Sequence, residues 1–239
     1  MKKYDILLFD LDDTLIDNTE NIRHAFKVML DYMGDTYSDD KFNRWSNLDK
    51  QFWIDRKDGK IIVPEEYKEP LEKKVRWIRS QRYILYFNND ITLDKAMEIN
   101  DLYLNALNEI VLPIDGAKET LEYLSKKYII AVATNGPSVA TTNKVRKIGC
   151  EEYIDHIFAA DMFGYMKPST IFFDGVKEAL GELDSNKYLM IGDSLKTDVY
   201  GASRSNMDSC WFDRDEEILT NEDNPTIIIK KLTDLKNYL

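Results

Sequence analysis

YDILLFDLDDT, at residues 4–14, joins a short apolar run to a set of closely spaced carboxylates. A run as short as residues 4–9 is typical of a strand that is buried on both faces of a parallel sheet. The carboxylates of Asp10, Asp12 and Asp13 follow at once, where such a strand ends. The stretch therefore predicts a buried strand with a carboxylate-rich carboxyl end.

Later apolar runs resemble this first one, at residues 128–134, 157–160, 188–191, 209–212 and 226–229. Segments with helical signals lie between most of them, at residues 116–127, 137–148, 170–180 and 196–205. Pro137 suits the start of a helix, Ser169 is a candidate N-cap, and Gly149 and Gly181 are typical helix stops. The alternation predicts an α/β fold with a Rossmann-like three-layer core, in which helices cover both faces of a parallel sheet.

Residues 18–111 differ in character, because they contain no strand-like apolar run and include Trp45, Trp53 and Trp77. Their patterning predicts helices near residues 19–32, 38–55, 65–82 and 92–109. We therefore divide the chain into an α/β core, formed by residues 1–17 and 112–239, and an inserted α-helical bundle at residues 18–111.

The chain of 239 residues has 32 Lys and Arg against 43 Asp and Glu, a formal net charge of −11. Phosphate backbones and anionic lipid repel such a chain, so we expect no nucleic-acid partner and no membrane partner.

The two cysteines, Cys150 and Cys210, are too few for a disulfide framework, and they lack the paired spacing of a zinc site. Asp10 ends the first apolar run far short of a signal sequence or a membrane span. We expect a cytoplasmic protein that is a monomer or a weak homodimer.

Polar residues follow several predicted strands at their carboxyl ends, where ligands bind in open α/β sheets. In chain order these groups are Asp10 to Thr14, Thr134-Asn135-Gly136, Lys167-Pro168, and Gly192-Asp193 with Asp198. Each group alone is typical of a turn, an N-cap or a surface loop. Their succession along one sheet favours a shared site at one sheet edge over a series of unrelated turns.

This succession resembles the haloacid dehalogenase superfamily, whose phosphatases carry Asp-x-Asp-x-Thr, then a Ser or Thr, then a Lys, and then Gly-Asp-x-x-x-x-Asp. The resemblance extends over residues 4–212. It implies a Mg²⁺-dependent hydrolase of phosphoric monoesters that acts through an aspartyl-phosphate intermediate.

The resemblance gives the two aspartates after the first strand separate roles. Asp10 is the expected nucleophile, because attack by a carboxylate splits hydrolysis into two displacements. Asp12 is the expected general acid and base. Halide-releasing members carry a non-acidic residue at this position, since a halide leaves without a proton. Asp12 therefore favours phosphate esters over haloacids.

Two further sets of residues complete the expected site. The phosphoryl group is expected to contact Thr134, Asn135, Gly136 and Lys167, of which Thr134 and Lys167 also count as catalytic. The expected Mg²⁺ ligands are Asp10, the main-chain carbonyl of Asp12, Asp193 and Asp198. Asp198 is expected to act either through a metal-bound water or by orienting Lys167.

The helical insertion follows Thr14 almost at once, so we expect it to form a cap over Asp10 and to select the leaving group. Its position and length are similar to the helical-cap subgroup of the superfamily. Residues 47–53, 58–61, 112–116 and 134–136 resemble the pyrimidine-type nucleoside 5′-monophosphatases that act on noncanonical nucleotides. The expected partner is therefore a small-molecule phosphate ester, and the expected activity is that of a 5′-nucleotidase.

Other activities stay open at this point. A sugar-phosphate or phosphoglycolate phosphatase, or a phosphomutase, has the same motifs, whereas a non-enzymatic binding protein is disfavoured because every catalytic position is filled. The insertion has aromatic residues that either fill its own core or stack on a base, namely Trp45, Phe52, Trp53 and Trp77. Its polar residues Asn47, Lys50 and Arg76 either contact a base or sugar or are solvated at the surface.

Overall fold

The structure is a computed structural model that describes residues 4–214, 219 and 224–239. Its strands are β1 Ile6–Phe9, β2 Ile129–Thr134, β3 His156–Ala159, β4 Tyr188–Gly192, β5 Asp208–Phe212 and β6 Ile227–Ile229. They form one sheet in the order β3-β2-β1-β4-β5-β6, and every neighbouring pair is parallel. The predicted parallel α/β fold is confirmed.

The helices of the described chain are α1 Asn18–Tyr32, α2 Asp39–Lys57, α3 Leu71–Tyr86, α4 Leu93–Glu109, α5 Ala117–Leu124, α6 Ser138–Lys147, α7 Ala160–Phe163, α8 Thr170–Leu180 and α9 Tyr200–Arg204. Short 3₁₀ turns lie at Glu65–Tyr67, Glu151–Tyr153, Ser185–Lys187 and Leu232–Asn237. Among the helices that the structure describes, none combines the length and the apolar character that crossing a bilayer requires.

The side chains of β1 alternate between two hydrophobic clusters, because successive residues of a strand point to opposite faces of the sheet. Leu7 and Phe9 belong to one cluster, together with residues of α5 and α6. Ile6 and Leu8 belong to the other, together with residues of α8 and α9. All four side chains are buried. The sheet is therefore the middle layer of the predicted three-layer core.

The chain divides into two compact units, one formed by Met1–Thr19 with Val111–Leu239 and the other by Glu20–Ile110. The second unit is helical and has its own aromatic core. In that core Trp45 stacks on Tyr83, with 5.2 Å between ring centroids, and donates its indole N–H to the hydroxyl of Tyr103. The helical unit thus buries its large side chains against one another.

Two of the predicted helices differ from the observed ones. The helix predicted over residues 65–82 is instead a 3₁₀ turn, Glu65–Tyr67, followed by α3. Pro70 explains the difference, because proline lacks an amide hydrogen and disfavours the helical conformation in the residue before it. The helix predicted over residues 196–205 begins as a π-helical turn, Leu195–Val199, and continues as α9. Ser169 lies at the predicted N-cap position of α8, but its side chain makes no capping hydrogen bond.

Candidate active site

Asp10 lies at the carboxyl end of β1, where its backbone N–H donates to the carbonyl of Ile191 in β4 at 2.8 Å. The chain then makes a tight turn, in which Leu15 donates to the carbonyl of Leu11 at 2.9 Å. Asp13 in this turn has φ 62°, a left-handed conformation that Asp and Asn tolerate better than most residues. The turn places the Asp10 to Thr14 motif within reach of residues that follow other strands.

Lys167 connects two of the residues that the sequence singled out. Its Nζ donates to Oδ1 of Asp10 and to Oδ1 of Asp198, at 2.7 Å in each case. The side chains of Lys167 and Asp198 are each 1% exposed, whereas that of Asp10 is 12% exposed. Asp10 is therefore the member of this trio that opens to solvent, and Asp198 is a buried counter-ion.

The backbone of Lys167 is held by the side chain of Asn135. Asn135 Nδ2 donates to the Lys167 carbonyl at 3.1 Å, and the Lys167 amide donates to Asn135 Oδ1 at 2.8 Å. The peptide bond between Lys167 and Pro168 is cis. The residue after β2 thereby fixes the position of the lysine that follows β3, so two of the predicted motifs meet.

Asp193 follows β4 and is tied to the β1 motif through Thr14. The buried Thr14 hydroxyl accepts from the Asp193 amide at 3.1 Å and donates to Asp193 Oδ1 at 3.2 Å. Trp211 in β5 donates its indole N–H to the Asp193 carbonyl at 2.8 Å. Asp193 is therefore anchored by Trp211 in β5 and by Thr14 in the turn that follows β1.

Asp198 packs tightly against the end of β4. Its Oδ2 accepts from the amide of Ser194 at 3.1 Å, while its Oδ1 accepts from Lys167. A Cβ atom built on Gly192 would lie 2.2 Å from Asp198 Oδ2, so this position requires glycine. Both oxygens of Asp198 are already engaged, an arrangement suited to orienting Lys167.

Thr134 ends β2, and its hydroxyl lies in the loop that leads into α6. Thr134 Oγ1 accepts from the amide of Gly136 at 3.0 Å. The Gly136 amide is therefore engaged inside the loop, and its predicted contact with a phosphoryl group stays a prediction. The Thr134 hydroxyl keeps its own hydrogen for donation.

Lys144 in α6 is a site residue that the sequence analysis missed. Its Nζ donates to Oδ1 of Asp12, and the two side chains are 20% and 33% exposed. The signal that could have found it is its place in the helix that opens directly after Thr134-Asn135-Gly136. The carboxylate of Asp12 thus has a cationic partner of its own, separate from Lys167.

The electrostatics of the site are set by burial. Burial raises the pKa of Asp10, against the opposing effect of Lys167, and Asp198 raises it further. Burial also raises the pKa of Asp193 to about 6, with the charge of Asp198 as a second cause. Burial lowers the pKa of Lys167, but the carboxylates of Asp10 and Asp198 outweigh it and hold that pKa above its ordinary value. One lysine therefore faces more negative charge than it can neutralise.

The carboxylates form a donor set for a cation. Asp10, Asp193 and Asp198 each offer an oxygen, and these atoms all lie within 4.8 Å of one another. Oxygen donors without histidine or cysteine suit a hard divalent ion such as Mg²⁺. The carboxylate of Asp12 is outside this cluster, and the expected contribution of its main-chain carbonyl stays a prediction. A divalent cation fits both the donor atoms and the uncompensated charge.

The aromatic residues of the helical unit occupy two kinds of position. Trp45, Phe52 and Trp77 are buried in its hydrophobic clusters, which supports the core-filling option for these three residues. Trp53 is half-buried, and the guanidinium carbons of Arg56 and Arg82 lie 5.2 and 5.3 Å from its ring centroid. Trp53 is therefore the remaining aromatic candidate for a ligand contact.

The polar candidates of the helical unit are not brought together around a common partner. Arg76 pairs with Asp101 at 2.5 Å on the surface. Asn47 and Lys50 are exposed. These three residues fit solvated positions in the described structure.

Fold and site together define a class, that of α/β hydrolases with an aspartate-rich centre at the carboxyl ends of parallel strands. The chain belongs to the haloacid dehalogenase-like hydrolase family, whose model matches residues 7–212. The resemblance inferred from the four motifs is confirmed.

The chain is similar over its whole length to curated members of this family. It is 26% identical over 239 residues to the HAD-hydrolase YfnB of Bacillus subtilis, which covers 100% of this chain and 97% of YfnB. A crystal structure of YfnB bound to magnesium matches with a TM-score of 0.83 and covers 100% of this chain and 99% of that one. Pyrimidine 5′-nucleotidase YjjG of Escherichia coli is 25% identical over 99% of this chain and 98% of its own. Glyceraldehyde 3-phosphate phosphatase of Pyrococcus furiosus is 24% identical over 89% of this chain and 82% of its own.

Proposed function

We propose that this chain is a Mg²⁺-dependent phosphomonoester hydrolase that acts through an aspartyl-phosphate on nucleoside 5′-monophosphates. The observation that supports this chemistry best is the buried contact of Lys167 with Asp10. It fixes a carboxylate that is partly open to solvent and adjacent to two others. A carboxylate fixed in this way is suited to attack phosphorus.

Lys167 and Thr134 are the proposed contacts of the phosphoryl group. Lys167 stays protonated beside Asp10 and Asp198, so its charge offsets the negative charge that accumulates when an anionic group enters. The Thr134 hydroxyl accepts from Gly136, which leaves its own hydrogen for donation to a phosphoryl oxygen. Asn135 contributes by holding the backbone of Lys167.

Asp10 and Asp12 share the first displacement. Lys167 holds Oδ1 of Asp10, so Oδ2 is the atom that attacks phosphorus. Asp12 gives a proton to the ester oxygen as the bond between phosphorus and that oxygen breaks. The products are the free alcohol and the phosphorylated side chain of Asp10.

The second displacement reverses the part played by Asp12. Its carboxylate, which now lacks the proton, accepts one from the water that attacks the phosphorylated Asp10. The bond between phosphorus and the Asp10 oxygen breaks, phosphate leaves, and Asp12 is protonated again. The side chains return to their starting state, as a catalytic cycle requires.

The proposed Mg²⁺ ligands are the carboxylates of Asp10 and Asp193 and the main-chain carbonyl of Asp12. When bound, Mg²⁺ supplies positive charge that keeps the carboxylates ionised and withdraws electron density from a phosphoryl oxygen. Thr14 holds Asp193 in place for this purpose. We assign Asp198 to the orientation of Lys167, because both of its oxygens are already engaged.

The substrate class rests on the similarity to YjjG, a pyrimidine 5′-nucleotidase, along nearly the whole chain. The helical unit, Glu20–Ile110, is the proposed cap that selects the leaving group. Similarity to a glyceraldehyde 3-phosphate phosphatase supports a second candidate, a sugar-phosphate phosphatase with the same chemistry. The acidic side chain of Asp12 favours either phosphatase activity over release of a halide. That the protein is cytoplasmic, and a monomer or weak homodimer, stays a prediction.

Phosphate release from a panel of nucleoside monophosphates and small sugar phosphates tests the proposal. We expect turnover with Mg²⁺, highest on pyrimidine monophosphates, and none in EDTA. Asp10→Asn is expected to abolish turnover, whereas Asp5→Asn, at the opposite end of β1 in a surface pair with Lys187, is expected to leave it unchanged. Full activity of Asp10→Asn contradicts the mechanism. A preference for sugar phosphates contradicts only the nucleotidase assignment.

A further inference from the structure

We propose that Lys144 is a positioning residue, which anchors Oδ1 of Asp12 so that Oδ2 becomes the atom that transfers the proton. The inference rests on the proposed function, because it assigns the geometry of that same general acid. Neither the motifs nor the metal cluster includes Lys144.

The first observation is that Asp12 depends on Lys144 for its orientation. Within residues 4–214, 219 and 224–239, Lys144 is the side chain that donates to the carboxylate of Asp12. Asp12 is 33% exposed, compared with 12% for the side chain of Asp10. A carboxylate this open rotates freely unless a partner restrains it, and Lys167 restrains only Asp10 and Asp198.

The second observation concerns the direction of the free oxygen. A Cβ atom built on Gly136 would lie 3.4 Å from Thr134 Oγ1 and 4.0 Å from Asp12 Oδ2. Thr134 Oγ1 and Asp12 Oδ2 therefore both lie next to the small volume that a Gly136 Cβ atom would occupy. With Oδ1 on Lys144, Oδ2 is the Asp12 oxygen that faces the loop proposed to contact the phosphoryl group.

The third observation is that one helix links these parts. Helix α6 begins directly after the Thr134 to Gly136 loop and carries Lys144 in its last turns. Thr141, in the same helix, packs its hydroxyl near Gly136 and donates to the carbonyl of Pro137 at 3.0 Å. The phosphoryl loop and the anchor of Asp12 are thus set by one element.

The proton balance is simple. In the first displacement the Oδ2–H bond of Asp12 breaks, the ester oxygen gains that hydrogen, and the bond from phosphorus to the ester oxygen breaks. Lys144 keeps its hydrogens and remains on Oδ1 throughout. Lys144 therefore neither gains nor loses a proton, and its contact with Asp12 should matter most when the leaving oxygen needs a proton.

Leaving-group dependence tests this role. Lys144→Met keeps the unbranched stem but removes the charge and the donors, whereas Lys144→Arg keeps both. We expect Lys144→Met to lower kcat/KM for a nucleoside monophosphate by about tenfold or more, because general acid catalysis typically contributes 10²–10⁴-fold. For p-nitrophenyl phosphate, whose leaving group needs little protonation, the loss should stay within about twofold. Lys144→Arg should recover most of the activity.

A matched control is Arg146→Met, on the same helix in an exposed pair with Glu151, which should change neither substrate's kcat/KM. Melting curves of the variants show whether each still folds. Equal losses on both substrates, or full activity of Lys144→Met on the nucleoside monophosphate, overturn the assignment of Lys144 and leave the proposed function standing. Absence of Mg²⁺-dependent hydrolysis by the wild type overturns the proposed function, and the assignment falls with it.

Discussion

Replacing Lys167 by Met removes the positive charge between Asp10 and Asp198 while keeping an unbranched stem. Removal of one partner from a buried ion pair costs about 3–5 kcal/mol. Asp198, 1% exposed, loses its counter-ion but keeps the amide of Ser194, and Asp10 is 12% exposed and can gain water. The expected loss is therefore near the lower limit, about 3 kcal/mol, which for a unit of this size corresponds to a fall in Tm of roughly 6–12 °C.

Differential scanning calorimetry in EDTA measures this shift without a contribution from bound cation. Lys187→Met is the matched control, because Lys187 and Asp5 form a pair in which both side chains are exposed, and such pairs contribute less than about 1 kcal/mol. Adding Asp198→Asn to Lys167→Met removes the buried charge that the first change left unpaired. The double variant should therefore melt above the Lys167→Met single variant.

Two results refute this reasoning. One is a Tm of Lys167→Met within about 2 °C of the wild-type value, since that corresponds to less than about 1 kcal/mol. The other is a double variant that melts below the single variant. Either result means that Lys167 does not serve as the counter-ion of a buried carboxylate.

Other variants test the same centre. Asp193→Asn removes a like charge beside Asp198, so the Tm of this variant in EDTA should rise. Mg²⁺ should no longer increase its Tm. A Tm that still rises with Mg²⁺ contradicts the proposed metal site. Thr14→Val deletes both hydrogen bonds to Asp193 and should weaken Mg²⁺ binding about tenfold by titration calorimetry, whereas unchanged affinity shows that Asp193 needs no such support. Gly192→Ala places a Cβ atom 2.2 Å from Asp198 Oδ2. This clash should lower the free energy of unfolding, measured in urea, by about 3 kcal/mol or more. An unchanged urea midpoint shows that the clash does not occur.

The residues of the central site could be predicted because each is marked by its own position in the sequence, at the end of a predicted strand. Asp10 and Asp193 follow β1 and β4 directly and Thr134 ends β2, and the carboxyl ends of parallel strands meet at one sheet edge. Their proximity therefore follows from strand direction alone. The contacts of Lys167 with Asp10 and Asp198 agree with that expectation.

What the sequence could not predict depends on helix rotation and side-chain conformation. Lys144 reaches Asp12 only because α6 turns that side toward the β1 motif, and no local pattern reports this angle. Trp45 and Trp53 lie in one helix, yet the first is fully buried and the second only half-buried. Pro70 did carry a local signal, since it ends the helical pattern that otherwise runs from residue 65.

The hydrogen bond from the Trp211 indole to the Asp193 carbonyl gives the candidate site a built-in optical reporter. Trp211 is one of four tryptophans, and the other three, Trp45, Trp53 and Trp77, belong to the helical unit. Indole emission responds to the polarity and hydrogen bonding of its surroundings. A variant whose remaining single tryptophan is Trp211 therefore allows the arrival of a cation or substrate beside Asp193 to be followed by fluorescence, with no added label.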